Sequence, residues 1–183
     1  MTRSTLVATL VALALAVPSA GRAQESAWKL KIGDPARRDR EAPIVLDGIT
    51  DTTAGKTLTT GGLAAALDDV RVLFVGESHT EIAFHRVQLQ IIRELHKRGR
   101  EVLIGLEMYP YTEQAALDMW NSGAATEDDF VSKSRWYRNW GYHWHYYRDI
   151  FLFARQNGIR MFGVNTPRDV VSAVRKKGLQ NLT

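Results

Sequence analysis

Two apolar runs limit what this chain can fold into more than any other feature: Val72-Leu73-Phe74-Val75 and Val102-Leu103-Ile104-Gly105-Leu106. Each stops abruptly in chemistry-bearing side chains, the first in Gly76-Glu77-Ser78-His79 and the second in Glu107-Met108-Tyr109. A strand buried on both faces reads this way when its carboxyl end opens into a site. Between them, Glu81 to Arg98 carries apolar residues at helical spacing and is followed by Gly99, a good residue for closing a helix. The unit reads as strand, helix, strand. Such a crossover makes the strands parallel, so Glu77, His79 and Glu107 are expected at one edge of the sheet, where open α/β folds place their ligands.

A third run, Ile159 to Val164, ends in Asn165-Thr166-Pro167 and leads into a helical segment up to Gly178. The fold class expected is α/β: a mostly parallel sheet with helices on both faces and at least three strand–helix units. Short β-like pieces, Pro43–Asp47 and Lys56–Leu58, form a small β element before the first main strand, and Thr60-Gly61-Gly62 opens a short helix. Further helices are expected after Thr112, as an N-cap, and after Thr126, three residues before Asp129 in the manner of a capping box.

The first 23 residues read as a cleaved signal peptide: Arg3, an apolar stretch from Leu6 to Val17, and small residues at Gly21 and Ala23. That stretch is shorter than the roughly 20 apolar residues a bilayer span requires, so no stable membrane anchor is expected. The destination is the periplasm or the exterior. Residues 24–43 read as an exposed lead-in, and 44–183 as the folded domain. Without Arg3 and Arg22 the chain has 22 basic against 20 acidic residues, too balanced for nucleic acid as a partner. It has no cysteine, hence neither disulfides nor a lipid-modifiable thiol.

Glu77, His79 and Glu107 are oxygen and nitrogen donors suited to a first-row divalent metal, and equally to acid–base work in a metal-dependent hydrolase. A structural carboxylate–imidazole bond between two loops uses the same residues. Four of the five tryptophans fall between Trp120 and Trp144, among His143, His145 and several tyrosines. Flat rings with His or Tyr donors are what a haem pocket requires, which makes Trp140, His143 and Tyr146 the cofactor candidates. The spacing of four between Trp136, Trp140 and Trp144 also fits one packed helix face.

Taken together, Phe74–His79, Gly105–Met108, the Trp136–Tyr146 block and Gly163–Pro167 resemble the ChaN-like family of haem-binding, iron-regulated bacterial proteins, within a superfamily that includes erythromycin-esterase-like and Tiki-like proteins. The resemblance implies haem or iron as ligand, a role in iron uptake or handling, and Glu77, His79 and Glu107 as inherited site positions. A metal-dependent hydrolase is the alternative it leaves. The family pattern continues beyond three strand–helix units, so the chain resembles the amino-terminal portion of that fold. Two readings stay open: a truncated relative, or a homo-oligomer in which another subunit supplies the missing sheet edge.

Overall fold

A computed structural model describes residues 48–181. The expected signal segment, the lead-in and the Pro43–Asp47 piece lie outside the described residues.

The described chain begins with an antiparallel pair, β1 (Ile49–Asp51) and β2 (Lys56–Leu58). The turn between them is held by the Asp51 carboxylate, which accepts from the amides of Thr53 and Ala54 at 2.8 and 3.1 Å. Helix α1 (Thr60–Ala66) follows, its N-cap Thr59 accepting from the Gly62 amide at 3.0 Å. Helix α2 (Ile82–Lys97) occupies the expected crossover and ends before Gly99, whose φ of +75° is the left-handed closure that glycine permits.

Strand β3 (Leu103–Pro110) pairs in parallel with β4 (Arg160–Asn165), in register from Leu103 opposite Arg160 to Leu106 opposite Gly163. The register then slips, so that Pro110 faces Asn165. Gly163 allows the slip: a Cβ there would stand 2.6 Å from the Pro110 carbonyl oxygen. Four helices complete the path from β3 to β4: α3 (Gln114–Asn121), α4 (Glu127–Lys133), the single turn α5 (Trp136–Asn139) and α6 (Arg148–Gln156). Helix α7 (Arg168–Lys177) follows β4. The sheet and its flanking helices make an α/β fold, as the sequence implies.

The core is aromatic. Trp120, Phe130, Trp136 and Phe151 are fully buried, and Trp144, Tyr147 and Tyr109 pack with them. Their rings meet edge-on or tilted, as Trp136 and Trp144 do at 4.9 Å and 81°, the geometry ring quadrupoles favour.

Two local expectations need correction. The helix expected after Thr112 begins later, because Tyr111–Glu113 form a 3₁₀ turn and Glu113 takes the cap position without a side-chain bond. More consequentially, Val72–Val75 is not a sheet strand, so the described residues contain one two-stranded parallel sheet rather than three strand–helix units. Val72 and Phe74 face solvent, Phe74 at 91% exposure, while Leu73 and Val75 line a cavity shared with α2 and β3. Of this segment's backbone, the Val75 carbonyl accepts from Gln88 Nε2 at 3.3 Å. A strand is stabilised by its ladder partner and by cover on both faces. Here the cavity stands between the segment and β3, and the outer face has no cover among the described residues.

Candidate functional site

The site is built around Glu77. Beyond the extended segment, Ser78–Glu81 close a turn through the Glu81 amide and the Ser78 carbonyl at 2.8 Å, which launches α2. His85 lies one turn into that helix. Because helical side chains lean toward the amino terminus, its ring reaches back to the loop that carries Glu77 and His79. Tyr147, just before α6, closes the cluster from the opposite side.

Glu77 Oε1 accepts from His79 Nδ1 at 2.6 Å and from the Tyr147 hydroxyl at 2.9 Å. The carboxylate is nine-tenths buried, and a buried charge requires such partners. Its second oxygen, Oε2, lies 3.2 Å from His85 Nε2, yet the His85 N–H is aligned with the His79 carbonyl at 3.1 Å instead. Oε2 therefore has the electrostatic proximity of an ion pair and no aligned hydrogen bond. His85 Nδ1 faces Gln88 Oε1 at 3.3 Å, so both nitrogens of this buried ring are occupied.

Burial and the adjoining Glu77 carboxylate hold the Tyr147 phenol well above the ordinary tyrosine range, and the nearby Trp140 indole opposes this only in part. Tyr147 is thus a protonated donor to Glu77. The Trp140 N–H, itself buried, has no aligned acceptor. Trp140 and Tyr142 pack against His79 with ring centres at 4.7 and 4.4 Å, and Tyr146 stacks on His85 at 5.9 Å.

This cluster borders a cavity of about 450 Å³ with predominantly apolar walls from Leu73, Val75, Ile91, Leu106, Met108 and Phe151. Glu77, His79, Glu107 and Tyr147 all line it. The size and character are those of a cofactor site: apolar walls with a few convergent polar groups.

The expected site residues therefore divide. Glu77 and His79 are directly bonded. Glu107 lines the same cavity but is exposed, and its side chain bonds neither of them; its carbonyl accepts from Asn165 Nδ2 at 2.9 Å, which ties together the ends of β3 and β4. Among the described residues, no three His, Asp or Glu side chains are grouped to hold a bare metal ion. Trp140 and Tyr146 border the cluster. His143 does not: its Nδ1 accepts from the His145 amide at 3.1 Å, and its ring lines a separate groove beside Tyr137.

Sequence reasoning missed the roles of His85 and Tyr147. The signal for His85 is its spacing of six from His79 at the start of a helix. Tyr147, 70 residues from Glu77, leaves no local trace.

A family described as "Haem-binding uptake, Tiki superfamily, ChaN" matches residues 63–183. No curated protein matches the chain. Among solved structures, the chain is similar to one described as "Cofacial heme binding to ChaN of Campylobacter jejuni", at 22% identity and a TM-score of 0.63. That similarity covers 74% of this chain and 55% of the Campylobacter chain, so this chain spans about half the length of its structural relative. At this identity the likeness establishes the shared fold.

Proposed function

Because the chain belongs to the ChaN family of haem-binding uptake proteins, we propose that it binds haem at the cavity bordered by Glu77, His79 and Tyr147, and serves iron uptake or handling after export to the periplasm. The observation that carries this reading is the union of an apolar cavity with a polar end walled by aromatic rings. A porphyrin requires apolar burial and flat stacking faces, together with a donor for its iron. The residues fit that group: the cavity supplies apolar area, Tyr147 and Phe151 line it with rings, and His79 supplies a nitrogen donor.

A bare divalent ion bound by Glu77, His79 and Glu107 is less well supported, since Glu107 stands apart from the other two. The hydrolase reading loses ground with it. Export rests on the amino-terminal pattern Arg3, Leu6–Val17 and Ala23. No described helix is long and apolar enough to cross a membrane. We include a homo-oligomer in the proposal, for which solvent-facing Val72, Phe74, Leu103 and Val164 offer apolar surface.

The test is a titration of the purified protein with ferric haem, followed in the Soret region, beside calorimetric titrations with ferrous and zinc salts. Saturable binding of haem that exceeds that of either ion is expected. Saturable ion binding with no haem uptake would overturn the proposal. Fractionation of cells expressing the full chain tests the location.

A further inference from the structure

We propose that the open groove between α4 and α5, apart from the cavity described above, is a binding site for a small zwitterion with a flat apolar body, the chemistry of an aromatic amino acid. It stands independently of the haem reading.

The groove holds about 450 Å³ and lies where the chain turns from α4 into α5. Trp136 and Trp144, both buried, line it from the core side. Their indole N–H groups are committed to the Tyr142 carbonyl and to Glu127 Oε1, so what they offer a ligand is ring surface. Tyr137 lines the same groove at 56% exposure, its ring centre 6.3 Å from that of His143. An exposed ring beside a concave aromatic wall is a stacking face for a flat body.

The charges decide the rest of the ligand. Arg135, Arg138 and Asp128 all line the groove, and Arg135 is ion-paired with Glu113. The other two are left over: among the described residues, neither the Arg138 guanidinium nor the Asp128 carboxylate has a hydrogen bond or an ion pair, with each other or with anything else. The neighbouring acids on α4 differ, since Glu127 is paired with Arg148 and Asp129 with Lys133. His143 adds a donor to Arg138. Its Nδ1 accepts from the His145 amide, which places the ring proton on Nε2. Guanidinium and imidazole N–H groups recognise a carboxylate, and the Asp128 carboxylate recognises an ammonium. A dianion would be repelled by Asp128, so the unpaired charges of opposite sign match a zwitterion.

The shape of the groove is fixed in advance. Arg135 is the one non-glycine residue at positive φ among the described residues, at +53°, a conformation that disfavours a side chain. Its ion pair to Glu113 holds that corner, and a wall held before the ligand arrives costs less to order on binding.

The test is a calorimetric titration of the full chain with L-phenylalanine, beside 3-phenylpropionate, which lacks the ammonium, and phenethylamine, which lacks the carboxylate. Saturable binding of phenylalanine is expected, with each analogue weaker by roughly fivefold or more. Arg138→Gln should lower phenylalanine affinity to that of phenethylamine and leave phenethylamine unchanged, and Asp128→Asn should do the same toward 3-phenylpropionate. A general disturbance of structure would weaken all three ligands alike. Both side chains are exposed, so the variants should fold, which near-UV circular dichroism checks. Ferric haem titrations of both variants should match the unmodified chain. No saturable binding of phenylalanine, equal binding of either analogue, or binding that neither substitution changes overturns the proposal and leaves the haem reading standing. Loss of haem binding in the variants overturns the groove as a separate site.

Discussion

The molecule uses tryptophan in two ways a few residues apart, and the contrast separates structure from site. In the core, Trp120, Trp136 and Trp144 are each more than nine-tenths buried, and each donates its indole N–H: to the Phe151 carbonyl, the Tyr142 carbonyl and Glu127 Oε1, at 3.2, 2.8 and 2.8 Å. Trp140 is half-buried against His79, and its N–H has no aligned acceptor. Nearby Glu77 Oε2 has no aligned donor, although His85 Nε2 stands 3.2 Å away. A folded core satisfies its polar atoms because each buried orphan costs about 1–3 kcal/mol. Two buried polar atoms without an aligned hydrogen bond, both on residues that contact His79, therefore mark the region where stability is not the only demand on the sequence.

The largest expected effect lies on the core side of the contrast. Trp136→Ala should cost about 3–5 kcal/mol, measurable as a shift in the denaturant midpoint, because it empties the centre of the ring cluster and frees the Tyr142 carbonyl. Trp140→Ala should cost about half of that or less, while weakening haem binding. Equal stability losses would erase the distinction between the two regions.

Next comes Tyr109→Phe. The Tyr109 hydroxyl and Ser134 Oγ are 2.7 Å apart, and both residues are fully buried, so removing one partner strands the other at about 1–3 kcal/mol. Haem affinity should be unchanged, since this pair sits in the core.

A smaller effect is expected at Glu127, whose carboxyl is held below the usual range chiefly by the Arg148 hydrogen bond at 2.7 Å, with Trp144 assisting. A carboxylate depressed on folding stabilises the protein above its unfolded value, about 4.3, and that contribution is lost as pH falls through the lower folded value. Glu127→Gln should therefore be less stable than the unmodified chain near pH 7 by at most about 1 kcal/mol, and the difference should close below pH 4 in parallel urea melts. A difference that persists in acid would mean packing, not charge, holds Trp144.

The smallest effect is expected at Phe74. At 91% exposure, Phe74→Asp should alter stability by no more than about 0.5 kcal/mol, whereas Ile104→Asp on β3, partly buried against the core, should cost about 1–3 kcal/mol. Loss of fold in Phe74→Asp would show that the Val72–Val75 face is covered in solution.

That pair also shows how far the sequence could be read. The crossover helix, β3, β4 and the cap at Thr126 were legible because periodicity and capping are local properties. The Val72–Val75 run has the composition of a buried strand, but burial depends on a neighbour that composition does not reveal. The tryptophans spaced by four look like one helix face. The chain breaks that helix after Asn139, sending Trp136 and Trp144 into the core and Trp140 to the site. Glu77 and His79 were legible as neighbours two residues apart; Tyr147 joins them only through the fold.

The most direct test of the account is to fill the cavity without touching the cluster. Val75 lines it from the extended segment and Ile104 from β3. Val75→Trp, chosen because that segment is not paired into the sheet, should leave the denaturant midpoint within about 0.5 kcal/mol of the unmodified chain. Its haem affinity, from a Soret titration, should fall at least tenfold. Full haem affinity in a folded Val75→Trp protein would contradict the claim that this cavity is where haem binds.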